Sequence, residues 1–586
     1  MENPGSEVLP LLGQIAAAVS EAVRRVRPDL AGADPIVRRS DRADFQSNVA
    51  LPLAKRVREK PMELAGEIAA VLGASVASVA VSGPGFLNIG VADDVIWAQV
   101  AARLSDPRLG IAASEAGRRT VIDYSAPNVA KEMHVGHLRT TIIGDSLARV
   151  LDFLGAVVTR QNHLGDWGTQ FGMLIQYLDE HPDAHWHQDE VGAGSSAVSA
   201  LDTLYRAARK EFDADTEFAD RARARVVALQ SGDPATRAAW TAIVAESEKA
   251  FDAVYARLGV LLSADDYVGE SFYNPMLAET IAELEDKGIA VDSDGALVVF
   301  SEAVTGPDDK PVPLMVRKGD GGYGYDTTDL ATIRYRLAQL HAERLLYVTD
   351  SRQALHFQLI FETARRAGWL TSATEVRHIA FGTVLGPDGR PFKTRAGGTV
   401  RLMDLLDDAV AHARAIVAEK NPHLPAAELD AIAEQAGIGA VKYADLSTSR
   451  VKDYTFDLDR MVALTGNTGV YLQYAHARIH SILRKANTPT PAIDPTIPLQ
   501  PEERALALEL DDYNDTITQV AESLEPHRLC TYLYNLARTF TTFYETCPIL
   551  TAPTPTRPNR LALCHLTAHT LTHGLTLLGI AAPHRM

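Results

Sequence analysis

TVIDYSAPNVAKEMHVGH, residues 120–137, decides the fold. Thr120 to Ser125 is a short β-rich run that reads as a strand, and Pro127 breaks it into a turn. Beyond it Ile143, Leu147, Val150, Leu151 and Leu154 recur at helical spacing, which predicts a helix over about 136–154 packed inward along its length. The N-terminal end of that helix is left for function. Strand, turn and helix then recur. Val157-Val158-Thr159 leads to the turn Gly165-Asp166-Trp167-Gly168, and Leu345-Leu346-Tyr347-Val348-Thr349 leads into a helix from about 353. Such alternation predicts an α/β fold on a parallel sheet, whose ligands lie at the carboxyl ends of the strands.

Working outward, residues 180–260 are charged and helical and interrupt the rhythm as an insertion into the sheet domain, taken as 116–400. Residues 1–115 mix amphipathic helices with the loop Gly83-Pro84-Gly85, whose forced turn is expected to leave Phe86 and Asn88 at an exposed edge. They form an N-terminal α+β module. From about 402 onward almost everything reads as helix: a stem over 401–460 and a C-terminal all-α bundle over 461–586, with Tyr532, Leu533, Leu536, Ala537, Phe540, Phe543 and Tyr544 at helical spacing.

The chain of 586 residues carries 57 Lys and Arg against 75 Asp and Glu, a net charge of −18. That balance excludes nonspecific coating of nucleic acid, which needs dense positive potential, but permits a basic path on an acidic body. There is no basic segment followed by an apolar run at the N-terminus and no membrane-length apolar stretch, so a cytoplasmic protein is expected. Cys530, Cys547 and Cys564 form no CxxC pair and read as buried thiols, and no metal site is expected.

In residues 125–137 two histidines three apart open a helix. Free amide N–H groups and the helix dipole make such an end an anion site. Imidazoles there can donate to a triphosphate, and Gly136 leaves room for a purine or ribose, so the arrangement favours ATP. The bland alternative makes His134 a helix cap and His137 a surface histidine. Zinc is disfavoured by the missing third ligand and by the absence of HExxH.

The run Ser125 to His137 resembles the HIGH signature of class I aminoacyl-tRNA synthetases, with HVGH in its place, and SAPNVAKEM resembles the arginyl-tRNA synthetase version. The resemblance extends in order through GPGFLN at 83–88, NHLGDWGTQFG at 162–172, GESFYN at 269–274, YGYDTTDLA at 323–331, VTDSRQALHF at 348–357, PFKTRAGG at 391–398 and GVYLQYAHARI at 469–479. It implies a Rossmann-like catalytic domain that uses ATP with Mg²⁺ to activate L-arginine and load tRNA(Arg), in a monomer that binds tRNA before the first step. It also implies that the N-terminal module reads the tRNA elbow and the bundle the anticodon. A guanidinium asks for carboxylates, which pair with its forked donors. The resemblance places that pocket at Tyr325 and Asp329 with Glu270 and Gln353, and gives the α-amino group to Asn128; Asp329 alone could equally be a first-turn acid. Asp166 and His163 fall where the family shapes the wall of the site. Phe86 and Asn88 match its D-loop reader, although packing within the hairpin serves Phe86 equally well.

The second phosphate loop of the class corresponds to residues 391–398, where Thr394 stands in place of the second lysine. Lys393 and Arg395 remain cationic, and by resemblance Lys131 supplies the missing charge, its alternative being a solvated surface lysine. Tyr471, Gln473, Tyr474, His476, Arg478 and Arg484 are candidates for anticodon contacts or for plain helix packing. A catalytically silent tRNA-binding relative would have lost some of these groups. A small-molecule adenylate-forming ligase would need neither the bundle nor the N-terminal module.

Overall fold

The computed structural model describes residues 8–73, 75–186, 197–306, 309–319, 321–392, 400–487 and 492–586. Its centre is the expected parallel sheet. Five strands, Glu375–His378, Arg344–Tyr347, Arg119–Asp123, Val157–Leu164 and Tyr267–Gly269, lie side by side in that order, all parallel. The helix Val135–Phe153 follows the middle strand; Ile143, Leu147, Val150 and Leu151 are buried on it, as is Leu154, which caps its end. Close approach is permitted by Gly144, where a Cβ would stand 2.3 Å from the Tyr124 ring.

Among the described residues the charged interruption forms three helices, Ala197–Ala214, Thr216–Ser231 and Pro234–Leu258. Local signals set their ends: Asp215 and Asp233 cap the second and third, Pro234 occupies the first turn, and Gly232 and Gly259 terminate them with positive φ. A three-stranded antiparallel sheet over Val291–Ser293, Ala296–Thr305 and Pro311–Arg317 follows, which periodicity had not indicated.

The N-terminal module is a four-stranded antiparallel sheet flanked by helices. Here one expectation is corrected. Phe86 and Asn88 lie not at an edge but on Phe86–Gly90, an inner strand flanked by Phe45–Ser47 and Ser78–Ser82. Leu87 and Ile89 are its buried face, which leaves Phe86 and Asn88 on the opposite, half-buried face. After Leu402 the secondary structure of the described residues is helical apart from Tyr454–Thr455, which pairs in parallel with Val384–Leu385 and ties the following helices to the sheet domain. In the tail helix His527–Thr546 the predicted apolar face is buried except at Tyr544, which stays exposed beneath the Arg478 guanidinium, 4.1 Å from its ring.

Candidate active site

The loop between the middle strand and its helix is held in an unusual shape. Ser125, Ala126 and Ala130 all have positive φ, at 75°, 47° and 62°. Left-handed backbone at non-glycine residues costs on the order of 1 kcal/mol or more each and persists only where surroundings over-determine it. They do here. The Ser125 amide donates to Thr140 Oγ1, the Ala126 amide to Asn162 Oδ1 and the Ala130 amide to Ser247 Oγ, at 3.0, 2.9 and 3.0 Å. Tyr255 hydroxyl sits 2.7 Å from Ser125 Oγ, and Trp240 Nε1 donates to the Asp166 carbonyl. Ser247, Tyr255 and Trp240 all belong to the last insertion helix, so the insertion is a wall of the site rather than an appendage.

At the helix start the two imidazoles form a reciprocal capping box. His134 Nδ1 accepts from the Gly136 amide, and His137 Nδ1 accepts from the His134 amide, both at 3.0 Å. An amide can only donate, so each Nδ1 bears a lone pair and each neutral ring carries its proton on Nε2. Burial lowers the His137 pKa to about 3, helped by His134, and burial followed by the positive charge of Arg352 lowers that of His134. Two neutral Nε2–H donors with rings 4.1 Å apart thus stand at a helix N-terminus. The cap and anion-site readings are not alternatives: capping is what orients the donors.

Carboxylates gather across the same strand ends. Asp329 and Asp326, in the first turns of the helix Tyr325–Ala338, hold His356 between them: Nε2 lies 2.6 Å from Asp329 Oδ2 and Nδ1 3.1 Å from Asp326 Oδ1. Burial alone would lower the His356 pKa, but hydrogen bonds to both carboxylates and their charge outweigh it and raise it to about 9. Glu270, just beyond the edge strand, is pushed up to about 8 by burial and by the negative charges of Asp329 and Asp166. The Tyr325 ring is exposed, 5.2 Å from that of His356. Asp166 accepts from both the amide and hydroxyl of Ser271, and His163 stacks on Tyr273. Asn128 is exposed and bridged to Gly165, whose missing side chain makes room for it. Gln353 is exposed in the short helix Ser351–Gln353, next to Arg352.

His134, His137, Asp166, Glu270, Gln353 and His356 follow the carboxyl ends of strands of the parallel sheet, whereas Asp326 and Asp329 follow the antiparallel strand Pro311–Arg317 and are joined to that set through His356. Three family models account for most of the chain: arginyl tRNA synthetase N terminal domain over 13–91, tRNA synthetases class I (R) catalytic domain over 99–458, and DALR anticodon binding domain over 472–586. The chain belongs to the arginyl-tRNA synthetase family. It is 70% identical to the arginine–tRNA ligase of Frankia casuarinae over 99% of both chains, and 53% identical to that of Streptomyces coelicolor over 99% of this chain and 100% of the other. Among solved structures it resembles the arginyl-tRNA synthetase of Plasmodium falciparum, with TM-score 0.83, 29% identity and coverage of 99% and 100%. That of Thermus thermophilus matches with TM-score 0.78, 27% identity and coverage of 98% and 100%.

Lys393, Thr394 and Arg395 of the second loop lie outside the described residues. The chain just after them returns to the histidines: the Val135 amide donates to the Val400 carbonyl, and the Leu402 amide to that of Met133. Lys131 is half-buried, with its ammonium 4.8 Å from the centre of the Tyr205 ring. In the N-terminal module Asn88 is already engaged, accepting from Gln46 and donating to Ser82. In the bundle Gln473 and His476 are buried and bonded to backbone carbonyls, so neither side chain stands free on the surface for an anticodon base. Tyr474 and Arg484 are exposed. Sequence reasoning missed His356 and Asp326; each is one helical turn from a residue it had named, Gln353 and Asp329.

Proposed function

We infer that the chain is an arginine–tRNA ligase. The arginine carboxylate attacks the α-phosphorus of ATP, the bond to the β-phosphate breaks, and arginyl-adenylate and pyrophosphate form. A hydroxyl of the terminal ribose of tRNA(Arg) then attacks the acyl carbon and AMP leaves. The observation that carries this reading is the meeting, at one set of strand ends, of two neutral imidazole donors with a pocket of three acidic side chains, Asp326, Asp329 and Glu270. Such chemistry needs positioning and charge stabilisation rather than a covalent nucleophile.

In this reading His134 Nε2 and His137 Nε2 donate to the triphosphate, whose adenosine passes over Gly136. The guanidinium pairs with Asp329 and Glu270, Tyr325 covers it, Gln353 adds a neutral contact, and Asn128 takes the α-amino group. His356 occupies one oxygen of Asp329 and so aims the other at the substrate. Lys131, Lys393 and Arg395 stabilise the leaving pyrophosphate. Mg²⁺ travels with the nucleotide, because the helix start offers nitrogen donors rather than the oxygen ligands that ion prefers.

We further propose that residues 1–115 read the tRNA elbow through Phe86 and Asn88, and that 116–400 carry catalysis, 401–460 form the stem and 461–586 bind the anticodon. The enzyme then acts as a cytoplasmic monomer. ATP–pyrophosphate exchange measured with each amino acid, with and without total tRNA, tests the activity. Arginine-dependent exchange is expected, and its absence in both conditions would overturn the reading, whereas exchange without tRNA would overturn only the expected tRNA requirement.

A further inference from the structure

Far along the chain from the ATP-binding histidines, the end of the chain is laid across the bundle by side chains that grip its carbonyls. Lys442 donates to Gly579 O, Gln473 to Ala581 O and Arg484 to His584 O, at 2.5, 2.9 and 3.0 Å. Between them sits a group of three imidazoles, His476 and His480 one turn apart on the helix Gly469–Ala486 and His584 on the tail, with ligand nitrogens all within 4.8 Å of one another.

We propose that these three histidines form a site for a Zn²⁺-class transition ion that clamps the tail to the bundle. His476 Nδ1 lies 2.9 Å from the Pro583 carbonyl, which can only accept, so the proton is on Nδ1 and Nε2 offers a lone pair. A carbonyl orienting the far nitrogen of a histidine is the usual outer-shell arrangement of an imidazole ligand. His480 Nε2 donates a hydrogen bond to His476 Nε2 at 3.1 Å, a separation close to the roughly 3.3 Å edge of a tetrahedron with bonds of about 2.0–2.1 Å, so an ion takes the place of that shared proton as His480 shifts to its other tautomer. The His584 ring is exposed and stacked on His480 at 4.1 Å, so it reaches the ion by turning about its own side-chain bonds. Thr572 hydroxyl, now 2.8 Å from His476 Nε2, gives up that contact when the ion binds. Three imidazoles without a carboxylate select Zn²⁺, Ni²⁺ or Cu²⁺ over Mg²⁺ and Ca²⁺, and leave the fourth position to water. The third ligand lies about a hundred residues from the first two, which is why no zinc spacing is visible in the sequence.

Titration of the chelator-treated full-length chain with Co²⁺ tests this, with Zn²⁺ as competitor. About one equivalent of Co²⁺ giving visible d–d absorption, bleached by Zn²⁺, is expected. His480→Ala and His584→Ala should each weaken binding by more than the ~10–100-fold that loss of an outer-shell partner costs. His423→Ala, at an exposed histidine elsewhere, serves as control and should leave binding unchanged. Absence of the band, a band indifferent to both cluster variants, or equal loss in the control would overturn the proposal. His584 is on the exposed tail, so its variant remains interpretable if His480→Ala folds poorly.

Discussion

At the scale of single residues the site is a set of protonation states imposed by neighbours. His137 is neutral because it is largely desolvated and serves as an acceptor for the amide that opens its own helix; His356 is cationic because two carboxylates hold it. NMR titration should find His356 changing charge near pH 9 and His137 still neutral well below its ordinary 6.5. The linked stabilities have opposite signs. The His356 contribution is full below about 6.5 and disappears as pH rises through about 9; that of His137 is full above 6.5 and disappears as pH falls toward about 3. Finding both histidines titrating near 6.5 would refute the assignments. Lys131→Ala is expected to slow arginine activation by about 10²-fold, the scale of one lost transition-state donor, with arginine affinity little changed; kinetics near those of the unaltered enzyme would remove Lys131 from the mechanism.

Elements are held in register by buried charge. Arg139, on the helix that begins at the two histidines, is 1% exposed and pairs with the fully buried Asp445 of the stem helix Ala426–Leu446. Its guanidinium also donates to the carbonyls of Gly382 and Lys452, each just before one strand of the small parallel pairing of Val384–Leu385 with Tyr454–Thr455. Removing one partner of such a pair strands the other, at a cost of about 3–5 kcal/mol. Asp445→Ala should therefore lower the denaturant midpoint and slow activation, through displacement of the helix that carries His134 and His137. An unchanged midpoint would show that the pair is not a fastener. The insertion makes a related point. Its helices were legible from charge pattern and caps, but its contribution to the site was not, because Ser247 and Tyr255 meet Ala130 and Ser125 only after more than a hundred residues of intervening chain have folded.

Across the whole molecule the N-terminal module meets the C-terminal helical bundle. Asp511 of the bundle accepts from Arg103 and from the Leu11 amide at the first helix, while Arg504 binds Asp44 and Asp93, and Trp97 donates to Ile497 O. Asp511→Ala should loosen the N-terminal module, seen as faster proteolysis near residues 105–115 and weaker tRNA charging with ATP affinity unchanged; unaltered proteolysis would mean that apolar packing alone docks it. By itself the sequence determined the parallel α/β core, the helix that begins at His134, the helical C-terminal half and the family, since these depend on local periodicity and on contiguous motifs. Tertiary structure alone decided that Phe86 and Asn88 lie on an inner strand, that Gln473 and His476 are buried, and that His356 is wedged between Asp326 and Asp329. Burial of a polar side chain and its pairing with charge arise between segments remote in the chain, and neither leaves a periodic trace along it.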